Sequence, residues 1–161
     1  MLGTCLKFIT TLFLVGFAMS AIAGNFFPPE YKSFPFKEGD LLSSQSRDGK
    51  FSVSKILKID RVKVKKGASI NIQGKVFVAP EDDFLLIVSC AYGKPEFASL
   101  EEAKAAARAG TWHISIAHAP NRSPGAQEGQ VVVSHKVVEE SELTGYRQWK
   151  AAFDREEAGV F

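Results

Sequence analysis

Histidine and cysteine are scarce in this chain, with three of the first and two of the second among 161 residues. That scarcity removes several chemistries. A metal site needs several ligands at one point. His113 and His118 lie five positions apart on one strand-like run, so their side chains point to opposite faces, and neither an H-E-x-x-H nor a paired-cysteine motif occurs. The acidic trio Glu81, Asp82 and Asp83 is adjacent rather than spaced, and calcium wants six to eight oxygens from a spaced loop. No metal and no cofactor is expected. A G-x-S-x-G elbow is missing, and Gly39, Gly49, Gly67 and Gly74 stand alone as turn residues rather than in a phosphate-cradling loop. Ser115 shares a face with His113, but a separation of two along a pleat is too long for a hydrogen bond. No catalytic residue is assigned, and the chain is not read as an enzyme.

Charge of one sign is also lacking. Lys and Arg number 20 against 18 Asp and Glu, which argues against a dedicated nucleic-acid binder. Long apolar runs are missing after the N-terminus. The one near it, Phe8–Phe17, follows Lys7 and precedes the small-residue site Ala21-Ile22-Ala23. This is the layout of a secretory signal peptide, and it is short for the roughly 20 residues of a membrane span. Residues 1–23 are therefore expected to be cleaved after Ala23, placing the protein in the periplasm or another extracytoplasmic space. Cys5 precedes the apolar run, where a lipoprotein acceptor would follow it. Its removal leaves Cys90 alone, so no intramolecular disulfide forms. Cys90 ends an apolar run and reads as a small buried hydrophobe, with a free thiol or an intermolecular disulfide as the other options.

What remains is a single domain. Residues 24–38 form an aromatic, proline-rich arm in which Pro28, Pro29 and Pro35 forbid helix. Residues 39–161 form an α+β domain. Asp48-Gly49 between two strand-like runs marks a β-hairpin, and Phe51, Val53, Leu57 and Ile59 recur at period two. The register then moves to Val62 and Val64, which predicts a bulge or turn at Asp60. Lys55, Lys58, Arg61, Lys63, Lys65 and Lys66 crowd this stretch, either as a solvated strand face or as a site for an anionic partner. Ile70–Val78 alternates as one strand, and Phe84–Tyr92 is a continuous apolar run expected at the centre of a sheet. Ser99–Gly110 carries a capping-box signature and a glycine stop, the marks of a helix. Thr111–His118 reads as a strand, Asn121–Gly129 as a polar loop, Gln130–Val138 as a strand and Glu139–Glu157 as a helix. The whole predicts a mainly antiparallel, strongly bent sheet of about six or seven strands with two helices, with an SH3-like barrel in the first half as one form of that bend.

Binding is the remaining class of function. Aromatic and arginine side chains often carry interface energy, which singles out Trp112, Tyr146, Arg147 and Trp149. Each aromatic has a core reading beside it. His113, the loop residues Asn121 and Arg122, and the basic pair Lys63 and Lys65 complete the partner-binding candidates.

The motifs F-x-x-G-D at Phe36–Asp40, D-G-K-F-S-V-x-K-I-L at Asp48–Leu57 and E-L-T-G-Y-R-Q-W at Glu142–Trp149 resemble small bacterial proteins, some of them immunity-type, encoded beside polymorphic or contact-delivered toxins. The resemblance covers the two ends of the domain. It implies a protein partner, the cognate toxin, and the signal segment moves that protection to the envelope. A small envelope ligand-binding module and a periplasmic hydrolase using His113, Ser115 or His118 are the alternatives.

Overall fold

The Asp48-Gly49 turn joins the first two strands, β1 (Asp40–Gln45) and β2 (Phe51–Val64). Gly49 holds φ at 84°, a left-handed backbone that costs a side-chain-bearing residue strain. Ser46 closes the turn by accepting from the Gly49 N–H and donating its own N–H to the Lys50 carbonyl. The strands pair from Leu41 with Lys55 to Gln45 with Phe51.

The computed structural model describes residues 26–161, and the expected cleavage site after Ala23 lies outside them. Beyond the hairpin come β3 (Ser69–Ile72), β4 (Lys75–Val78), β5 (Asp83–Lys94), α1 (Leu100–Ala109), β6 (His113–Arg122), the short α2 (Ser123–Gln127), β7 (Val131–His135) and α3 (Thr144–Phe153). The main sheet is antiparallel with order β6-β5-β2-β1-β7. The domain is α+β, as the sequence predicts, but its sheet is not closed. The suggested SH3-like curl fails because β3 and β4 leave the sheet as a separate hairpin, so its edges remain β6 and β7.

Three local expectations are corrected. Ile70–Val78 is two strands: Gln73 and Gly74 take φ of 51° and 77°, the paired positive values of a tight hairpin turn. Ile70 and Ile72 are buried, whereas Val76 and Val78 face solvent. The bulge in β2 falls at Leu57, between the Ile56–Cys90 and Lys58–Ser89 pairs, not at Asp60. Val53, Lys55, Lys58, Asp60, Val62 and Val64 consequently share one face, with Ile56 and Ile59 on the other. The last helix begins late. Glu140–Leu143 is a 3-10 turn, and α3 starts only at Thr144. Glu139 and Glu142 cap that turn reciprocally, and the Glu139 N–H donates to the Glu142 carboxylate at 2.8 Å.

α1 behaves as its sequence implies. Ser99 Oγ accepts from the Glu102 N–H, and Gly110 ends the helix in left-handed geometry. Ala103 and Ala107 pack on Leu41, Val53 and Val133. α3 sits on the same sheet face, where Trp149 joins Val64, Leu85 and Ile87. On the opposite face α2 and the arm cover Ile56, Val88 and Cys90 through Ala126, Phe34 and Phe36. The arm thus packs on its own domain, and Phe27 is buried. β5 is buried without a break from Ile87 to Ala91, in an interior position between β6 and the middle strand β2, covered on both faces as its apolar run predicts.

The segment Gly159–Phe161 joins the small hairpin to the main sheet. The Val160 N–H donates to the Asn71 carbonyl and the Gln73 N–H to the Val160 carbonyl. One residue on, the Phe161 N–H donates to Pro120 and the Arg122 N–H to Phe161. Both patterns are parallel bridges, so this segment lies between β3 and β6. Among the described residues no helix is long and apolar enough to cross a membrane.

Candidate functional site

Lys55 is the unexpected residue of the basic stretch. Its neighbours Lys63, Lys65 and Lys66 are exposed, but Lys55 is only 1% exposed. β2 places it on the face between α1 and α3. Its ammonium donates to both Glu142 carboxylate oxygens, at 2.6 and 2.9 Å, and to the Val137 carbonyl at 3.1 Å. Burial pushes the Glu142 carboxyl up. The Glu139 N–H, and then Lys55, more than reverse this, leaving it below its ordinary range.

This ion pair lies in a cleft of about 540 Å³ between the C-terminal end of α1 and the chain after β7. Leu41 and Lys55 form the floor. Arg108, Trp112 and Ile114 line one side, and His135 and Lys136 the other. Trp112 stands where it does because Gly93 has no side chain: a Cβ there would collide with its ring. His135 is held by Asp40, with Nδ1 3.0 Å from Oδ1. Lys136 reaches Glu139 only at 3.7 Å, and Arg108 forms no ion pair among the described residues. Glu142 is the one acid in the lining, against Lys55, Arg108 and Lys136. Val137, next to the cleft, is 73% exposed. The cleft therefore presents an aromatic wall, exposed aliphatic residues and a cationic bias.

The other sequence candidates are dispersed. Tyr146 donates to Asp60 Oδ1 at 3.0 Å. Burial first, and the Asp60 bond second, push its phenol up to about 12. Trp149 is core, and its indole N–H donates to the Gly159 carbonyl. Asn121 donates to the Tyr92 hydroxyl and the Ala119 carbonyl. Arg122 bonds the Phe161 carbonyl and the Tyr31 hydroxyl. The expected polar loop at 121–129 is instead the end of β6 followed by α2. Arg147 is exposed and paired with Glu140. Lys65 pairs with Asp82 at 3.3 Å, and Lys63 borders a separate cavity beside Phe153. Only Trp112 of the nominated residues lines the cleft. His113 begins β6 and is exposed.

The nearest approach to a catalytic pair is one that the sequence does not advertise. His118 Nε2 lies 2.9 Å from Ser89 Oγ across the β5–β6 pair. Ser89 is fully buried, and burial lowers the His118 basicity. The His118 ring lies against Tyr146 and Trp149, so the serine is roofed rather than open to substrate. His113 and Ser115 take no part in this pair. Cys90 is free and buried, and burial pushes its thiol up to about 12, far from a reactive thiolate. Among the described residues no group of three or more His, Cys, Asp or Glu could hold a metal. In comparison with known proteins, the chain matches no family model, no curated protein and no solved structure.

Proposed function

We propose that this chain is an exported binding protein that engages an acidic segment of a protein partner in the cleft between α1 and the turn before α3. The observation that carries this reading is the cleft's composition. Arg108 is without an ion-pair partner among the described residues and stands with Lys136 beside Trp112, Ile114 and the exposed Val137. Aromatic and arginine anchors among apolar contacts are the usual energetic centre of a protein interface. A carboxylate-bearing loop set between Arg108 and Lys136 would gain charge-assisted bonds. The specific role is that of an immunity protein, which blocks a toxin directed at the cell envelope. The motif resemblance and the signal-like N-terminus support that role.

The test is co-expression. The gene, with and without residues 1–23, is paired with each neighbouring gene targeted to the periplasm, and growth is scored. Rescue by the exported form alone, lost in Arg108→Glu/Lys136→Glu, is the expected result. An absence of toxic neighbours, together with recovery of no periplasmic protein on the immobilised domain, would reject the proposal.

A further inference from the structure

The basic stretch of the sequence meets an exposed apolar strand at the β3–β4 hairpin. Between Asp60 and Glu81 the chain carries Arg61, Lys63, Lys65, Lys66 and Lys75 and no acid. Arg61 lies over the Phe84 ring, and Lys65 pairs with Asp82. Lys63, Lys66 and Lys75 are exposed, and their ammonium groups form no ion pair among the described residues. Within the same span β4 turns apolar side chains outward. Val76, Phe77 and Val78 are 66%, 38% and 60% exposed, and β4 pairs only with β3. Ile70 and Ile72 of β3 already fill the core beneath. A run of three exposed apolar residues is a liability unless it serves a contact.

The fold brings the lysines to these side chains. Lys75 opens β4, and Lys63 lines the same cavity as Val76. The Gly67 N–H donates to the Ala79 carbonyl, which sets Lys66 beside the end of β4. Few acids oppose them. Glu81 and Asp82 follow the hairpin, and Asp154 and Glu156 stand across the cavity, with Asp154 held by Lys150. The composition decides between partners. Protein interfaces centre on Trp, Tyr and Arg, whereas Lys is depleted there and Val is rare among their energetic centres. Lysines around aliphatic side chains suit a lipid surface, where ammonium groups meet anionic headgroups and apolar side chains enter the acyl boundary. We infer that the β3–β4 hairpin is a membrane-surface contact, in which Val76 and Val78 dip into an anionic leaflet and Lys63, Lys66 and Lys75 hold its headgroups. None of these residues lines the cleft proposed for a protein partner.

The test is co-sedimentation of the protein, purified after export, with vesicles of phosphatidylcholine alone or mixed equally with phosphatidylglycerol. Binding to the mixed vesicles, far weaker on the neutral ones and falling as salt rises, is the expected result. Lys66→Gln/Lys75→Gln should weaken it about tenfold or more, and Val76→Ser/Val78→Ser about fivefold or more. All four positions are exposed, so these variants should fold, which circular dichroism checks. Arg108→Gln/Lys136→Gln makes the same charge change at the cleft and should weaken binding far less, so the cleft and the hairpin can fail separately. An environment-sensitive dye on Val76→Cys should shift to the blue on mixed vesicles, and the same dye on Thr111→Cys should not; the buried Cys90 stays unlabelled. No binding to mixed vesicles at low salt, equal losses from the two lysine-bearing pairs, binding untouched by Val76→Ser/Val78→Ser, or an unshifted dye at Val76 would each overturn the inference. Capture of an acidic periplasmic protein that the hairpin variants lose, with vesicles left unbound, would replace the membrane by a protein partner.

Discussion

α1 and α3 lie on the same sheet face and are nearly the same length, yet they are held there by different means. α1 is seated by small side chains. Ala103 and Ala107 let its backbone close on Leu41 and Val53, and among the described residues no side-chain bond is seen from α1 to the strands beneath. α3 is tied down by polar groups at several levels. Glu142, in the turn before it, takes the buried Lys55, Tyr146 reaches Asp60, and the Trp149 indole bonds the Gly159 carbonyl. Alanine seating depends on fit, and its strength is insensitive to pH. Polar tethering depends on each partner being present and correctly ionised, so α3 is the helix that solution conditions and single substitutions can move.

The sharpest way to break the comparison is Lys55→Met. It leaves Glu142 partly buried without its cation, a change that costs about 3–5 kcal/mol. Adding Glu142→Leu should recover most of that loss, because an apolar pair of similar volume is often as stable as the buried ions. Denaturant unfolding of the single and double variants measures both. Amide exchange should show the single variant loosening α3 and the preceding turn before α1.

The converse change is Ala103→Leu. Extra methylenes at a fully buried alanine cost about 1–3 kcal/mol through overpacking. Here exchange protection should fall in α1 while α3 is spared. Equal loosening of both helices by either variant would mean that they unfold as one unit, against the distinction drawn here.

The smallest effect concerns Asp60. Burial raises its carboxyl above the ordinary range, against the Tyr146 bond and the nearby Lys150 and Lys58, with Glu38 adding to the rise. One of its oxygens is buried with no hydrogen-bond partner. A raised acid favours the folded state when protonated. That contribution is full below about pH 4 and is lost as pH climbs through the raised value. Asp60→Asn keeps an acceptor for Tyr146 and removes the ionisation. It should raise Tm at pH 7 and leave it nearly unchanged at pH 3, as a pair of thermal melts would show. A lower Tm at pH 7 would mean that the charge itself holds α3 in place.

The same contrast explains what the sequence discloses. α1 was legible because its signals are local: Ser99, Glu102 and Gly110 act within one helix. The β1–β2 turn was legible for the same reason. α3 has one local hint. Gly145 suggests close approach or a late start, and both occur: the helix begins at Thr144, and a Cβ on Gly145 would sit 2.7 Å from the His118 Cβ. Its tethers come from far away in the chain, and no spacing rule links Lys55 to Glu142 or Asp60 to Tyr146. The cleft was mostly illegible. Trp112 stands out as a tryptophan, but Arg108 looks like an ordinary C-terminal helix charge, and Lys55 looks like one member of a solvated cluster. Its odd position beside Val53 already put it on the apolar face, but the carboxylate that neutralises it lies 87 residues away in the chain.

The Gly159–Phe161 segment carries a kinetic consequence. Each hairpin can form from neighbouring residues, but the link between them pairs Ile72 with Val160. So distant a closure adds loop entropy before any contact rewards it, and folding slows as such separations increase. The two sheets should therefore assemble first as separate pieces and dock late. Until they dock, Pro120–Arg122 and β3 each have one side without a strand neighbour, so that the interval before docking, rather than the finished fold, is when this chain is most exposed to pairing with the wrong strand.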